Sequence, residues 1–498
     1  MSVHDQAQTP APLQQREVRA IIIGVLLAIF LAALDQTIVA TALPTIGHDL
    51  NDLEHLPWIV TSYLLASTTV TPLYGKVSDI AGRRVTLLVA IAVFVVGSVA
   101  CALAPTMLVL ILARTLQGLG GGGLISLAQT IIADIVSPRE RPKYQGYIAG
   151  VFATSSIAGP VLGGFLSEHF HWSLIFWINL PIGFIAFLMT NALLKKLPRH
   201  ERPHRLDLLG AALMALATIA LLLALGWGGI RYPWTSTPIL SLLAGSALLW
   251  LAFGGRLATA PEPLIPTEVL ANPVVAMGTL AACFGMGVFI GLTIYMPIYF
   301  ETVYGLSASQ SGLALIPLMI GTVSGATLSG RLMARMTHYK RPPLIGLTVA
   351  VAALLVAVAV PRGLPLAVFE ILLVLASGGL GTLLPVTTVA IQNAVPPHQT
   401  GTATGAMNFF RSLGGALIVA GFGTILLGAV PAGEISHVTL ETLAPTLAAA
   451  GLDIAEVFRL VFAAAAAGLA LTLVWFSLME ERPLRSRIGG AATAAAAE

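Results

Sequence analysis

The chain contains 498 residues, of which 56% are hydrophobic and only 10% are charged, whereas an ordinary soluble domain is about 25% charged. This composition excludes a soluble globular protein and predicts one that crosses a membrane many times. The net charge of +3 is too small to indicate nucleic acid as a partner. The two cysteines, Cys101 and Cys283, lie in apolar runs and predict neither a disulfide framework nor a metal site.

Residues 1–17 form a polar tail that contains Pro10 and Pro12. The apolar run after Arg16 and Arg19 is too long for a signal peptide and lacks a clean cleavage site. We therefore expect a retained first helix with a cytoplasmic tail in front of it.

Hydropathy predicts fourteen transmembrane helices, because a span needs about 20 mostly apolar residues. An even number places both termini on one side of the membrane, in an all-α polytopic membrane protein. The predicted spans are residues 18–42, 57–76, 85–104, 107–133, 145–167, 172–194, 206–226, 238–256, 274–299, 312–334, 343–360, 366–391, 404–429 and 456–478.

The basic residues predict the orientation of these spans. The tails and the loops after even-numbered spans, counted together with the adjoining span ends, hold 21 of the 26 lysines and arginines, and the other loops counted in the same way hold only Arg231, Arg362 and Arg459. Because basic residues accumulate in cytoplasmic loops, both termini are expected in the cytoplasm. The remaining two, Arg114 and Arg411, fall inside spans.

A basic connector at residues 195–205 is the expected linker between two halves. Six spans precede it and eight follow, so two spans are surplus if each half is a six-helix bundle. The pair at 206–256 carries almost no polar residues and is expected to be inserted and to face lipid. The predicted organisation is a tail (1–17), a first bundle (18–194), the linker, the inserted pair, a second bundle (257–478) with an outer loop (430–454), and a cytoplasmic tail (479–498). The outer loop is compatible with a small lid or a solvated loop.

A weak internal repeat supports two related halves. Residues 75–84 close the second span, and residues 330–335 close the tenth span in the equivalent place. Repeated halves that enclose a site near the midplane are typical of alternating-access carriers.

Two charges inside spans indicate ion-coupled transport. A charged side chain within a membrane costs at least ~2.5 kcal/mol, so such residues need a use. Asp35 on the first helix and Arg114 on the fourth are expected ~9–13 Å and about 12 Å below the outer face, which allows them to pair. Desolvation favours the protonated carboxyl and a nearby guanidinium favours the carboxylate, so a switch between these environments would couple protons to motion. Gln117 would supply a polar neighbour one turn on. The alternative is a permanent pair that only fixes helix packing.

Several motifs carry a family resemblance. Residues 75–84 resemble the loop motif after the second helix of the major facilitator superfamily, with departures at Val77, Ser78 and Ile80. Residues 114–120 resemble the fourth-helix motif in which the arginine is linked to proton coupling, and residues 34–44 and 177–183 resemble signatures of the fourteen-helix subfamily. The helix-five antiporter motif is matched by Gly146, Ser155, Gly159, Pro160, Gly163 and Gly164, with Ser155 in place of a glycine.

The chain therefore resembles a drug:proton antiporter of the multidrug efflux type. The resemblance implies the major facilitator fold, with two six-helix bundles plus two extra helices. The loop motif implies a cytoplasmic gate at Gly75, Asp79, Gly82, Arg83 and Arg84. A carboxylate such as Asp79 can hold such a gate by bonding basic groups or helix N-termini, although it could equally be a surface charge.

Small residues on helix five predict a close helix contact. Gly146, Gly150, Gly159, Gly163 and Gly164 remove side chains, and Pro160 can bend the helix. The contact is expected to be the seam between the two halves, with ordinary helix packing as the alternative.

The expected cargo cavity combines aromatic and polar side chains in apolar surroundings. Because buried carboxylates are few, the cargo should be lipophilic and neutral or monovalent. The same aromatics could instead be core or interfacial residues. The candidates are Trp58, Tyr63, Tyr295, Tyr299, Asn408, Phe409 and Arg411.

The expected water-facing loops contain no paired carboxylates, nucleophile with a base, or metal-ligand cluster. We therefore expect that the protein is not an enzyme. The glycine run at 118–123 lies in a span and not after a strand, which favours a thin packing surface over a dinucleotide site. The sequence thus predicts a monomeric carrier in the inner (cytoplasmic) membrane that exports lipophilic small molecules in exchange for protons. Its partners would be protons and membrane lipids, with no cofactor besides the proton gradient. A dedicated carrier of one metabolite or lipid and a non-transporting receptor are the alternatives.

Overall fold

The computed structural model describes residues 14–196, 206–429 and 453–485, and within them the chain is almost entirely helical. Seventeen α-helices and two 3-10 turns, Leu194–Lys196 and Pro397–Gln399, make up this part of the chain. The helices are α1 (Gln15–Asp49), α2 (Leu56–Ala81), α3 (Arg83–Ala102), α4 (Met107–Ile135), α5 (Arg141–His169), α6 (Leu174–Trp177), α7 (Asn179–Leu193), α8 (Leu208–Trp227), α9 (Thr237–Thr259), α10 (Thr267–Ala271), α11 (Pro273–Val303), α12 (Ala308–Leu313), α13 (Ile316–Arg335), α14 (Arg341–Ala359), α15 (Leu366–Ala394), α16 (Thr400–Gly428) and α17 (Ile454–Leu478).

Thirteen helical segments of the described chain are long and apolar enough to span a membrane, with α6 and α7 counted as one segment. The remaining long helix is α2, which carries several serines and threonines and packs against α4 and α16. Fourteen long helical segments therefore lie where the sequence predicts fourteen spans.

The first half of the bundle comprises α1 to α7. Helix α1 packs against α5 and α7, and α4 packs against α2 and α3. The core between them consists of apolar side chains such as Ile29, Phe94 and Ile131, each fully buried. Removing such side chains from water or lipid contact is what fixes the helices against one another.

The second half comprises α11 to α17. Helix α15 packs against α13 and α14, and α11 packs against α16 and α17. Its core is rich in aromatic rings. The Tyr299 ring packs against those of Phe369, Phe458 and Phe462, with centroid distances of 4.9, 5.1 and 5.1 Å.

The two halves meet through α2 with α16 and α5 with α13. Several of these contacts lie where α2 and α4 end and α5 begins. We call this end of the bundle, which carries Arg83, Arg84 and Arg139, the basic end. Helices α8 and α9 pack on each other, and α8 also lies against α2 and α16, so it covers the junction between the halves.

Some predicted bounds need correction. The first helix does not end near residue 42 but continues through Pro44 to Asp49, because a proline inside a helix can bend it without ending it. The sixth span is divided between α6 and α7 around Ile178. The tail at 1–13, the linker residues 197–205, the outer loop at 430–452 and the tail at 486–498 lie outside the described residues.

Candidate functional site

A buried ion pair joins α1 to α4 inside the first half. Arg114 donates from Nη1 to Asp35 Oδ2 at 2.6 Å, and the two side chains are 1% and 0% exposed. An ion pair withdrawn from solvent is tolerated only when its remaining donors and acceptors are also bonded. Both oxygens of Asp35 and the Nε and Nη1 atoms of Arg114 have hydrogen-bond partners.

Three neutral side chains complete the bonding of the pair. Gln117 donates to Asp35 Oδ1 at 2.8 Å and accepts from Arg114 Nη1 at 2.6 Å. Asn179, at the start of α7, donates to the same Asp35 oxygen at 2.9 Å. Both amides also donate to Ser98 Oγ on α3, at 2.7 and 3.2 Å. The carboxylate thus accepts hydrogen bonds from three side chains on α4 and α7. Two of these side chains also donate to Ser98 on α3.

Helix α2 supplies the other wall of the site. The Arg114 Nε–H donates to the backbone carbonyl of Ile59 at 3.1 Å, and its guanidinium lies 4.3 Å from the centre of the Tyr63 ring. A cation above an aromatic face is stabilised by the ring quadrupole. Arg114 is therefore bonded to α1, α2 and α4 at once.

Glycines let these helices approach closely enough for the contacts. A Cβ added at Gly97 of α3 would meet the backbone nitrogen of Gln117 at 2.5 Å, and one at Gly118 would meet the Tyr63 carbonyl oxygen at 2.6 Å. A Cβ at Gly122 would collide with the Ser67 carbonyl. The glycine run of α4 is a thin packing surface, as predicted.

Sequence analysis missed two members of this cluster. Ser98 is a lone hydroxyl in an apolar run and gives no distinct signal. Asn179 does, since an amide within a predicted span is costly unless bonded, and it lies in a segment that was singled out only by resemblance. The depth argument also changes, because Asp35 lies ~21 Å from the observed end of α1. The pair forms because α1 projects beyond α4 at that end.

The gate candidates lie at the basic end, where α2 meets α16. Asp79 accepts from the backbone N–H groups of Gly401 and Thr402 at 3.1 and 2.7 Å, and from Thr402 Oγ1 at 2.7 Å. Arg83 donates to Asp79, and its Nε donates to Asp134 Oδ2 at 2.8 Å. A carboxylate beside the first turn of α16 is favoured by the N–H groups of that turn and by the helix dipole. Asp79 therefore ties the first half to the second.

The other gate candidates shape the same region. Gly75 faces α16 so closely that a Cβ would overlap the carbonyl of Gly401. Gly82 ends α2 with φ of 89°, a conformation that favours glycine. Arg84 instead donates to Asn191 on α7, within its own half.

The structure divides the helix-five residues among three surroundings. A Cβ at Gly146 would lie 3.2 Å from Thr327 Oγ1 of α13, so this glycine faces the second half. Gly159 and Gly163 face Thr37, Ile38 and Thr41 of α1, in the same half. Gly150 and Gly164 have no heavy atom within 4 Å of an added Cβ, and Pro160 is exposed. These positions point in different directions around the helix, and the role of helix five as the seam between the two halves stays a prediction.

Three of the candidate cargo aromatics, Tyr299, Tyr295 and Phe409, make contacts inside the bundle. Tyr299 is 1% exposed, lies in the aromatic core and donates to the Pro361 carbonyl at 2.8 Å. Tyr295 donates to the Val419 carbonyl at 3.1 Å, and Phe409 packs against Trp250 of α9. The assignment of these rings to a cargo cavity stays a prediction. Trp58 contacts Trp227 of α8 at a centroid distance of 5.9 Å.

Asn408 and Arg411 lie on α16 beside the first half. Asn408 donates to Gln129 Oε1 of α4 at 2.8 Å, and Arg411 donates to the Thr388 hydroxyl of α15 at 3.0 Å. Among the described residues, no group of three or more His, Cys, Asp or Glu side chains could hold a metal ion.

Comparisons with known proteins agree with this architecture. A family model described as Major Facilitator Superfamily matches residues 25–419. The multidrug transporter protein MdtP of Bacillus subtilis (strain 168) is 32% identical over 428 residues, covering 86% of this chain and 78% of the relative. Multidrug resistance protein 3 of the same strain is 33% identical over 412 residues, covering 83% and 80%. A bacterial homologue of the iron transporter ferroportin, solved in an outward-facing state, has a TM-score of 0.64 at 13% identity, covering 94% of this chain and 100% of that chain. At that identity the match concerns the fold alone.

Proposed function

Since the chain belongs to the major facilitator superfamily of membrane transporters, we propose that it is a proton-coupled antiporter that exports lipophilic small molecules across the cytoplasmic membrane. Two relatives carry names that describe multidrug transport or resistance, which supports a broad cargo. The chain would work as a monomer surrounded by membrane lipids, with both termini in the cytoplasm and no cofactor besides the proton gradient.

The observation that carries this proposal is the bonding of Asp35. Both carboxylate oxygens accept hydrogen bonds, and the three donors are Arg114, Gln117 and Asn179. This arrangement fits an ionised carboxylate, because a carboxyl O–H would face donors. Protonation would therefore weaken the ion pair and force the cluster to rearrange. A group whose proton changes its bonding to other helices can couple proton binding to motion.

Helix α2 offers a path from this site to the gate. One part of it holds Ile59 and Tyr63 against Arg114, and its other end holds Asp79 against α16. Tyr63 and Asp79 are separated by ~24 Å along the helix. A shift of α2 that follows protonation of Asp35 would therefore alter the contact between the halves at the basic end.

The proposed cycle uses Asp35 in two environments. When the site is open to the outside, Asp35 takes up a proton, Arg114 is released, and cargo leaves. When the site is open to the cytoplasm, cargo binding favours loss of the proton and the ion pair forms again. One proton that crosses 100 mV supplies ~2.3 kcal/mol, which is enough for roughly 50-fold accumulation of a neutral cargo.

The experiment is dye efflux from proteoliposomes with an imposed proton gradient. Wild type should expel a lipophilic dye only while the gradient lasts, and Asp35→Asn should abolish this gradient-dependent component. The control is Glu456→Gln, an exposed carboxylate on α17 that pairs with Arg459; it should match wild type. Gradient-driven efflux by Asp35→Asn at the wild-type rate would contradict the proposal. Competition between chemically unrelated dyes distinguishes a broad exporter from a carrier of one metabolite or lipid.

A further inference from the structure

A buried arginine in the second half has only neutral partners among the described residues. Arg411 is 9% exposed. Its Nη2 donates to Oγ1 of Thr387 and Thr388 at 3.1 and 3.0 Å and approaches the Leu384 carbonyl at 3.5 Å. Its Nη1 approaches Asn408 Oδ1 at 3.4 Å. The Nε–H is buried and has no hydrogen-bond partner. One donor of the guanidinium is therefore available.

The other buried arginines of the described chain have compensation that Arg411 lacks. Arg114 pairs with Asp35, and Arg83 pairs with Asp79 and Asp134. Arg141 has one buried donor without a partner, Nη1, but it donates to the carbonyls of Ala133 and Val136 at the end of α4, where the helix dipole favours a cation. Arg411 lies in the middle of α16 and meets neither a carboxylate nor a helix end. An unpaired cation in such a place is strongly unfavourable, so an anion bound at Nε would stabilise it.

The position of Arg411 suits a ligand that contacts both halves. It lies ~16 Å along α16 from the start of that helix, close to mid-depth. Asn408, one turn before it, donates to Gln129 of α4, so the guanidinium adjoins the contact between the halves. Carriers built from repeated halves bind their substrates near the midplane between those halves.

We propose that Arg411 binds the anionic group of a lipophilic monoanion, such as a carboxylate, at the junction of the two halves. The Nε–H of the guanidinium offers one charge-assisted hydrogen bond to an anionic oxygen, and such bonds are stronger than those between neutral groups. Thr387 and Thr388 hold the guanidinium in place through Nη2 and leave Nε free. The inference rests on the proposed function only in regarding the bound anion as cargo. A small inorganic anion such as chloride has the same chemistry and is separated from cargo by the experiment.

The test measures binding at equilibrium with the full-length purified chain and no gradient. The probes are 1-pyrenebutyrate, its neutral methyl ester, and sodium chloride in an otherwise chloride-free buffer. Binding of each probe is measured from the shift in the thermal unfolding midpoint of the protein. For the two pyrene compounds it is also measured from the change in probe fluorescence. Wild type should bind pyrenebutyrate at least about tenfold more tightly than the ester, corresponding to one good charge-assisted contact.

Three variants make the test specific to the guanidinium. Arg411→Gln should weaken pyrenebutyrate binding at least about tenfold and change ester binding by less than about twofold, because only the charged contact is lost. Thr388→Val keeps the charge but removes one hydroxyl that positions the guanidinium. It should therefore weaken pyrenebutyrate binding about threefold. The control is Arg459→Gln, an exposed arginine on α17, which should leave all binding unchanged. Thr388→Val also keeps the test decisive if Arg411→Gln fails to fold.

Each outcome bears on one source of the anion. One possible result is that chloride binds wild type, competes with pyrenebutyrate and no longer binds Arg411→Gln. This result identifies an inorganic anion as the occupant and overturns the cargo assignment. Equal loss of pyrenebutyrate and ester overturns the anion site, since it indicates general damage. Unchanged pyrenebutyrate binding in Arg411→Gln, or no binding by wild type, overturns it as well and leaves Arg411 as a tie between α15 and α16.

The same variants separate this inference from the proposed function. Gradient-driven efflux of neutral dyes together with unchanged pyrenebutyrate binding in Arg411→Gln would contradict the anion site alone. Arg411-dependent pyrenebutyrate binding in a wild type that shows no gradient-driven efflux would contradict the proposed function alone.

Discussion

Replacing Asp35 by Asn removes a charge from a fully buried site while keeping the size of the side chain. The amide oxygen can still accept from Gln117 and Asn179, which are 2.8 and 2.9 Å from the present Oδ1. The amide NH2 would then face Arg114 Nη1, so that one donor meets another. The variant loses a charge-assisted bond of about 1.5–3 kcal/mol and leaves the guanidinium without a counter-ion. Removing one partner of a buried ion pair costs about 3–5 kcal/mol in total, which is the expected loss in free energy of unfolding.

The double variant Asp35→Asn, Arg114→Gln distinguishes the ion pair from mere packing. Arg114→Gln alone should also be strongly destabilised, because it leaves a carboxylate buried among neutral groups. In the double variant no charge remains, so its loss should be smaller than the sum of the two single losses by at least about 2 kcal/mol. All three variants should lack gradient-driven efflux. Asp35→Asn and the double variant have lost the proposed proton acceptor, and Arg114→Gln has lost the cation that pairs with it.

Denaturant unfolding of the purified variants measures the stabilities, and dye efflux measures the coupling. Additive losses in the double variant would refute the ion pair as the source of the destabilisation. Restored stability together with restored gradient-driven efflux would refute Asp35 as the proton acceptor, while leaving the pair as a structural element.

Three further predictions concern the gate and the hydrogen bonds around Asp35. Asp79→Asn loses the ion pair with Arg83 and weakens the bonds to the start of α16, so labelling of Thr327→Cys by a membrane-impermeant maleimide should accelerate about tenfold. Glu140→Gln, at the same end, is the control and should leave the labelling rate unchanged. Equal labelling rates in Asp79→Asn and Glu140→Gln would contradict the role of Asp79 in holding the gate. Gly75→Ala should reduce efflux at least about tenfold, because its Cβ would overlap Gly401; Gly245→Ala, where nothing lies within 4 Å, is the matched control, and full efflux by both contradicts the close approach. Ser98→Ala should cost about 1–3 kcal/mol of unfolding free energy, because two buried amides lose an acceptor. The exposed control Ser241→Ala should cost almost nothing, and an equal cost in the two would refute that role.

The acidic and basic partners at the core of the site could be inferred from sequence because charges in apolar spans are rare and costly. Asp35, Arg114 and Gln117 were therefore predicted together, and the structure joins them. Ser98 could not be inferred, since a serine in an apolar helix has many acceptors within its own backbone and no need for a partner on another helix. The contact between Asp79 and α16 links residues far apart in the chain, and only helix packing brings them together.

The sequence by itself determined where the long apolar segments lie, the all-helical class and the family. These properties depend on local composition: the length of an apolar run decides whether it can span a membrane, and the motifs are contiguous. Only the tertiary structure decided which face of each helix meets which neighbour. Gly146 faces the second half whereas Gly159 faces α1, and Tyr299 packs in an aromatic core. Rotation and tilt of helices follow from the packing of all their neighbours at once, and no local stretch of sequence contains that information.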